Sequence, residues 1–227
     1  MASPPPLLPG VRFAPAERRA RLLAAYDVDL VVDVGANSGQ YASALRAAGY
    51  AGRIASFEPL TEPYRALADA AARDPGWDAW LVALGARAGV ANVDVAEDSR
   101  NSSVLSVGER HLRSVPDSRM VAVESVRVTR LDDVWPHVAA DARRPYVKID
   151  TQGYELEVLR GGTRALGGIV LVETELSLLP TYDSGPLFGD VLRFLGEHGF
   201  SPISFEGVLD DSQTGEMLQV DAIFARP

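Results

Sequence analysis

The chain has 227 residues, 47% hydrophobic and 23% charged, the make-up of an ordinary globular protein long enough for one α/β domain with a substantial core. A formal charge of −9, with arginines scattered and offset by acids, argues against the concentrated basic face of a nucleic-acid binder. The absence of cysteine removes disulfides, thiolate metal sites and cysteine nucleophiles together, and fits a cytoplasmic protein.

The opening "MASPPPLLPG" lacks the basic and apolar segments of a signal peptide. Residues 1–14 are expected to be a poorly ordered, proline-rich lead-in, and 15–227 a single domain. No apolar run approaches the roughly 18 residues that cross a bilayer, so no membrane partner is expected.

Residues 15–26 then predict a helix with a basic outer face. "DLVVDVG" is a continuous apolar strand, the pattern of burial on both faces. Tyr41, Ala44, Leu45 and Ala48 recur at helical spacing up to Gly49. "GRIASFEP" is a second strand, and Thr61 is placed to cap a helix carrying Tyr64, Leu67, Ala68 and Ala71. "WDAWLVALG" reads as a third core strand and "VANVDVAED" as a half-exposed one. Residues 98–119 are polar and without period, a long loop of the kind that is usually functional or disordered. "SVRVTRLDDVW" gives a strand and a helical turn, "PYVKID" a core strand, "GYELEVLRGG" a helix and "GIVLVETEL" another strand. Phe188, Val191, Leu192 and Leu195 mark a last helix before Gly199. "FSPISFE" and "MLQVDAIFAR" follow as two strands with only a turn between them. Strands alternating with helices predict a parallel, doubly wound sheet in a three-layer α/β sandwich, its last strand antiparallel.

The first strand ends in Asp33 and a turn, Gly35-Ala-Asn-Ser-Gly39. A dinucleotide site needs a closer glycine pair, and Asp33 would repel a pyrophosphate. No Gly-Lys-Ser/Thr follows, which excludes a P-loop. S-adenosylmethionine has the opposite needs: no phosphate, an ammonium and a sulfonium. Asp33 can accept from the ammonium, amides near Asn37 can face the carboxylate, and Glu58 ends the next strand where an acid accepts from ribose hydroxyls.

"VVDVGANSGQYASAL", "SFEP", "NSSVL", "VRVTRLDDV" and "YVKIDTQGYELEVLRGG" together resemble the FkbM family of S-adenosylmethionine-dependent methyltransferases, over roughly residues 28–175. The resemblance implies a class I methyltransferase fold, Rossmann-like, with seven strands in the order 3-2-1-4-5-7-6 and the seventh antiparallel. It also implies O-methylation of a sugar or natural-product hydroxyl. Many family members carry Val-Glu where this chain has Thr151-Gln152, so one carboxylate near the site is missing.

Methyl transfer is an in-line displacement, so the protein must align the reactants and remove a proton from a hydroxyl acceptor. Asp150 is the first candidate to hold the acceptor or act as base, with Lys148 two residues earlier on the same face fixing Asp150 or Glu155. His111, in the polar loop, is the other candidate base, on a lid over the cofactor. Cofactor contacts are expected from Asp33, Gly35, Asn37, Gly39, Glu58, Asn101 and Ser102, and acceptor contacts from Gln152, Glu155, Glu173 and Tyr182, with Phe188 as packing. Asp150, Glu173 and Glu175 could supply oxygen ligands, but no spacing compels a metal and none is expected. The expected partner is a small-molecule acceptor, with a homodimer left open. N-methylation, a nicotinamide-dependent oxidoreductase and a non-catalytic binding module are the competing readings.

Overall fold

The computed structural model describes residues 13–226, so most of the expected lead-in lies outside the described residues. Seven strands form one sheet: β1 (Leu30–Val34), β2 (Arg53–Phe57), β3 (Trp77–Trp80), β7 (Pro145–Ile149), β8 (Leu171–Ser177), β9 (Ser201–Asp210) and β10 (Met217–Ala225). Their order is β3-β2-β1-β7-β8-β10-β9, which is 3-2-1-4-5-7-6 when these seven alone are counted. The first five run parallel, and β10 is antiparallel to both β8 and β9.

The strands alternate which face they serve, as period 2 requires. Val31, Ile54, Tyr146 and Leu171 pack under α1 (Pro15–Ala25), α2 (Gln40–Ala47) and α3 (Thr61–Ala71). Val32, Val34, Val147, Ile149 and Val172 pack under α5 (Leu131–Val138), α6 (Glu155–Gly161) and α7 (Phe188–Glu197). Asp33, Lys148 and Glu173 occupy the first of these faces, at neighbouring positions in the register. The polar ends of three core strands therefore meet in one row at the carboxyl edge of the sheet, where ligands bind in open α/β folds.

Three expectations are corrected. The run 77–85 is not one strand: Val82 N donates to Trp80 O at 3.1 Å, and the chain turns into β4 (Ala83–Leu84) in a second sheet with β5 (Gly89–Ala96) and β6 (Met120–Thr129). Ala83 there packs with Val93, Val126 and Val128 in a core of their own. Residues 98–119 hold two short 3-10 turns and α4 (Glu109–Ser114). Thr61 does not cap α3; its hydroxyl donates to Glu124 on β6 at 2.6 Å. Among the described residues no helix is long and apolar enough to cross a membrane.

Candidate active site

The turn after β1 is built on left-handed backbone at Gly35, Asn37 and Gly39, with φ of +78°, +47° and +85°. The amides of Gly35 and Ala36 both donate to Phe57 O at 3.0 Å, tying the turn to β2. Two clefts open from it. The first runs over β2 and β4, between Phe57, Leu60, Leu84 and Val93, and carries Asn37, Glu58, Ser102 and Gln152. The second lies on the face under α1 and α2 and carries Lys148, Glu173, Glu175 and Asp221. Gly35, Asn37, Arg100 and Asp150 line both.

Glu58 is buried, and one carboxylate oxygen accepts from Asn37 N and the other from Leu60 N, each at 2.8 Å. Each oxygen keeps acceptor capacity, beside the apolar wall that Phe57, Leu60, Leu84 and Val93 give the slot. Those acceptors and that apolar wall fit a ribose with its purine, and Arg100 is the one cationic side chain lining the slot. Burial pushes the Glu58 carboxyl up to about 7, against the pull of its two backbone amides. A carboxylate accepts from hydroxyls best when ionised, so affinity for S-adenosylhomocysteine is expected to fall as pH drops through about 7. Glu58→Gln should weaken that affinity at pH 8 by roughly 10-fold, one charged hydrogen bond's worth, and flatten its pH dependence. Calorimetry between pH 6 and 8 checks this; unchanged affinity and slope would show that Glu58 holds only the turn.

Asp33 is wholly buried and lines neither cleft, so direct contact with an ammonium is not its position. Its carboxylate meets Lys148 Nζ at 3.5 Å and the Ser56 hydroxyl at 3.4 Å. Burial pushes Asp33 above the usual carboxylate range despite Lys148. Lys148 also meets Asp150 at 3.2 Å; burial opposes its charge, but Asp150 and Asp33 outweigh that and raise its pKa. Lys148 does not pair with Glu155.

The segment after β7 is an arch held from within. Gln152 has φ +54° and donates from Nε2 to Asp150 Oδ1 at 2.6 Å. Its own Oε1 accepts from the Tyr182 hydroxyl, and its backbone carbonyl accepts from Ser103 Oγ at 2.6 Å. Glu155 lines neither cleft; it accepts from the amides of Thr151 and Gly153, each at 3.0 Å. It closes the turn into α6, which corrects its expected role at the acceptor. Tyr182 is likewise not the floor of a pocket: its ring lies against Gly153 and 5.3 Å from His111. Phe188 packs on Phe205.

His111 is not on an exposed lid. It is 2% exposed within α4, its Nε2 is 3.0 Å from Ser118 Oγ, and it lines neither cleft. Burial pushes it down to about 4, so it has neither the access nor the basicity for the expected role. Asn101 also turns away, toward a depression beside Leu112 and Arg119. A 3-10 turn rotates about 120° per residue, and in the turn Ser99–Asn101 it is Ser99 and Arg100 that reach the cleft. Ser102 lines the cleft, and its hydroxyl accepts from Ala96 N at 3.0 Å.

Four functional candidates were not singled out from the sequence. Arg100 lines both clefts. Arg19 turns inward from α1, donating from Nε to Glu173 at 2.8 Å, where the Tyr41 and Tyr146 hydroxyls also converge. Gln219 donates to Glu175, and Asp221 faces the second cleft. The alternation in "MLQVDAIFAR" carried a signal for the last two, since Gln219 and Asp221 are polar at i and i+2 of an apolar strand. Among the described residues no group of three or more His, Cys, Asp or Glu is arranged to hold a metal ion.

A class I methyltransferase sheet with an acid-ended second strand beside the glycine turn defines an S-adenosylmethionine-dependent methyltransferase. The model of the methyltransferase FkbM domain matches residues 33–202, and the chain belongs to that family. Its cofactor is accordingly S-adenosylmethionine, not a nicotinamide. Among solved structures it is similar to magnesium protoporphyrin IX methyltransferase from Synechocystis PCC 6803 with bound S-adenosylmethionine (11% identity, 93% of this chain and 78% of that one, TM-score 0.51). An rRNA methylase from Streptococcus thermophilus shares 12% identity, over 96% of this chain and 99% of that one, with a TM-score of 0.50. The methyltransferase FkbM from Methylobacillus flagellatus KT shares 16% identity over 87% of this chain at a TM-score of 0.49, and this chain spans 44% of that one. No curated protein sequence matches the chain.

Proposed function

We propose that the protein transfers a methyl group to a hydroxyl of a small metabolite, a saccharide or natural-product intermediate. The observation that carries this reading is that Asp150 lines both the Glu58 cleft and the carboxylate-rich cleft beside it. A group at that junction is within reach of an acceptor whose oxygen must meet the methyl carbon. The bound cofactor supplies that carbon on a sulfonium, already activated. The protein's task is to hold the acceptor in line. Gln152 and Lys148 each engage one oxygen of Asp150, so its carboxylate is oriented before the acceptor arrives. The carboxylates bordering the second cleft, including Asp221 with no partner among the described residues, suit a polyhydroxylated acceptor, and the overall negative charge disfavours RNA.

The test is transfer of radiolabelled methyl from S-adenosylmethionine to methyl glycosides and to their amino-sugar counterparts. Label on hydroxyls is expected; label on amines alone would replace this reading with N-methylation. Asp150→Asn should lower kcat about 100-fold, the scale of one lost polar contact in the transition state. Its affinity for S-adenosylhomocysteine should stay within a few-fold. An unchanged kcat would remove Asp150 from the reaction.

A further inference from the structure

We propose that Asp221, on β10, is the general base that takes the proton from the acceptor hydroxyl. This rests on the O-methylation proposed above and names the residue that such a reaction requires.

Four carboxylates line the second cleft: Asp150, Glu173, Glu175 and Asp221. Three are engaged. Asp150 is held by Gln152 and Lys148. Glu173 accepts from Arg19, Tyr41 and Tyr146. Glu175 accepts from Gln219. Among the described residues nothing hydrogen-bonds to or pairs with the Asp221 carboxylate, and its surroundings act on it only through space. A base must offer a free lone pair to the proton it takes, and Asp221 alone of the four has both its oxygens available.

The register explains how it comes to face the site. Asp221 lies opposite Glu175 on β8 and opposite Glu206 on β9. It therefore shares its sheet face with Glu173 and Glu175, and with Asp150 and Lys148 of β7 beyond them. Arg19 of α1 covers the same row. Burial comes first among the causes that push Asp221 up to about 7, helped by Glu173 and Asp150 and opposed by Lys148 and Arg19. A base with that value is half ionised at neutrality and still a useful proton acceptor, close to the optimum for this work.

In the step, the hydroxyl proton passes to an Asp221 oxygen and the O–H electron pair remains on the acceptor oxygen. That oxygen forms the new bond to the methyl carbon, and the pair of the broken carbon–sulfur bond stays on sulfur. Asp221 then returns its proton to solvent through the open cleft.

The experiment compares wild type, Asp221→Asn and Asp221→Glu in methyl transfer to methyl glycosides between pH 5.5 and 9, with S-adenosylhomocysteine affinity measured alongside. For wild type, kcat should rise through about pH 7. Asp221→Asn should lose about 100-fold in kcat together with that rise, while S-adenosylhomocysteine affinity shows the cofactor site intact. Asp221→Glu, which restores a carboxylate, should recover part of the rate. Should Asp221→Asn keep both the rate and the pH profile on hydroxyl acceptors, Asp221 is not the base and O-methylation stands. Should wild type label only amino sugars, the proposed function falls, and with it this role. A ¹³C-carboxyl NMR titration needs no acceptor: a resonance assigned through Asp221→Asn with its midpoint near 7 is expected, and a midpoint below 5 overturns the proposal.

Discussion

Replacing Gly35 with alanine is expected to abolish binding of S-adenosylhomocysteine and to destabilise the protein by more than about 3 kcal/mol, through the sum of two effects. Gly35 has φ +78°, which costs an L-residue roughly 1–2 kcal/mol. The second effect is larger. A Cβ there would stand 2.9 Å from the Asp150 carbonyl carbon and closer still to its oxygen. Both are backbone atoms and cannot rotate away. Asp150 N donates to Val34 O at 3.0 Å, so moving the arch aside breaks the last rung between β1 and β7. It also shifts Asp150, which both clefts share. Gly49→Ala provides the control, since Gly49 has φ +91° with nothing within 4 Å of its added Cβ. It should cost only about 1–2 kcal/mol, the penalty for left-handed backbone alone. Chemical denaturation and calorimetry on the two variants separate strain from collision. Equal losses would show that the close approach of the two loops is unimportant.

The same close approach explains what was legible in the sequence. Strands β1, β2, β7 and β8 are apolar runs bounded by turn residues, and their order follows once helices alternate with them. The two terminal strands joined by "DDSQTGE" gave the antiparallel pair, because so short a turn permits nothing else. Glu58 was legible because its position depends only on where β2 ends. Residues whose roles depend on a distant partner were not. Asp33 looked like a ligand-facing acid, but its surroundings are set by Lys148 and Ser56 across two strand pairings. Polar neighbours in sequence suggested an exposed His111; its burial comes from Tyr182 and Ser118. Arg19 sits on a helix with two other arginines, half-buried Arg18 and exposed Arg21, and only the location of Glu173 shows that Arg19 serves the site. The break after Trp80 was hidden because Trp80, Leu81, Val82 and Ala83 are all apolar, although the first two are exposed and only Ala83 enters the second sheet's core.

The acids of the site sit in unlike surroundings. Asp33 is wholly buried beside a cation, Glu173 is held by several donors, and Asp221 lines the cleft with no hydrogen-bond or ion-pair partner among the described residues. Removing the shared cation should therefore expose the least tolerant of them. Lys148→Met leaves Asp33 with only the Ser56 hydroxyl at 3.4 Å, and a buried charge stripped of its partner typically costs about 3–5 kcal/mol. That approaches the whole margin of a small domain, typically about 5–15 kcal/mol, so a large drop in melting temperature is expected.

The pH dependence identifies the cause. Burial already holds the Asp33 carboxyl above its ordinary value, and loss of Lys148 raises it further. A carboxyl raised on folding makes the folded state bind the extra proton. Its contribution is then fully favourable below the unfolded value of about 3.9 and is lost as pH rises through the folded one. The deficit of Lys148→Met relative to wild type should thus be largest at pH 8 and shrink toward pH 5. Adding Asp33→Asn to Lys148→Met should recover much of the loss at pH 8 and remove that slope, because the amide carries no charge to strand. Denaturation midpoints at the two pH values for the single and double variants decide it. A deficit independent of pH, or a double variant no more stable than the single one, would mean that Lys148 supports the sheet edge through its packing and through Asp150, with Asp33 indifferent to its charge.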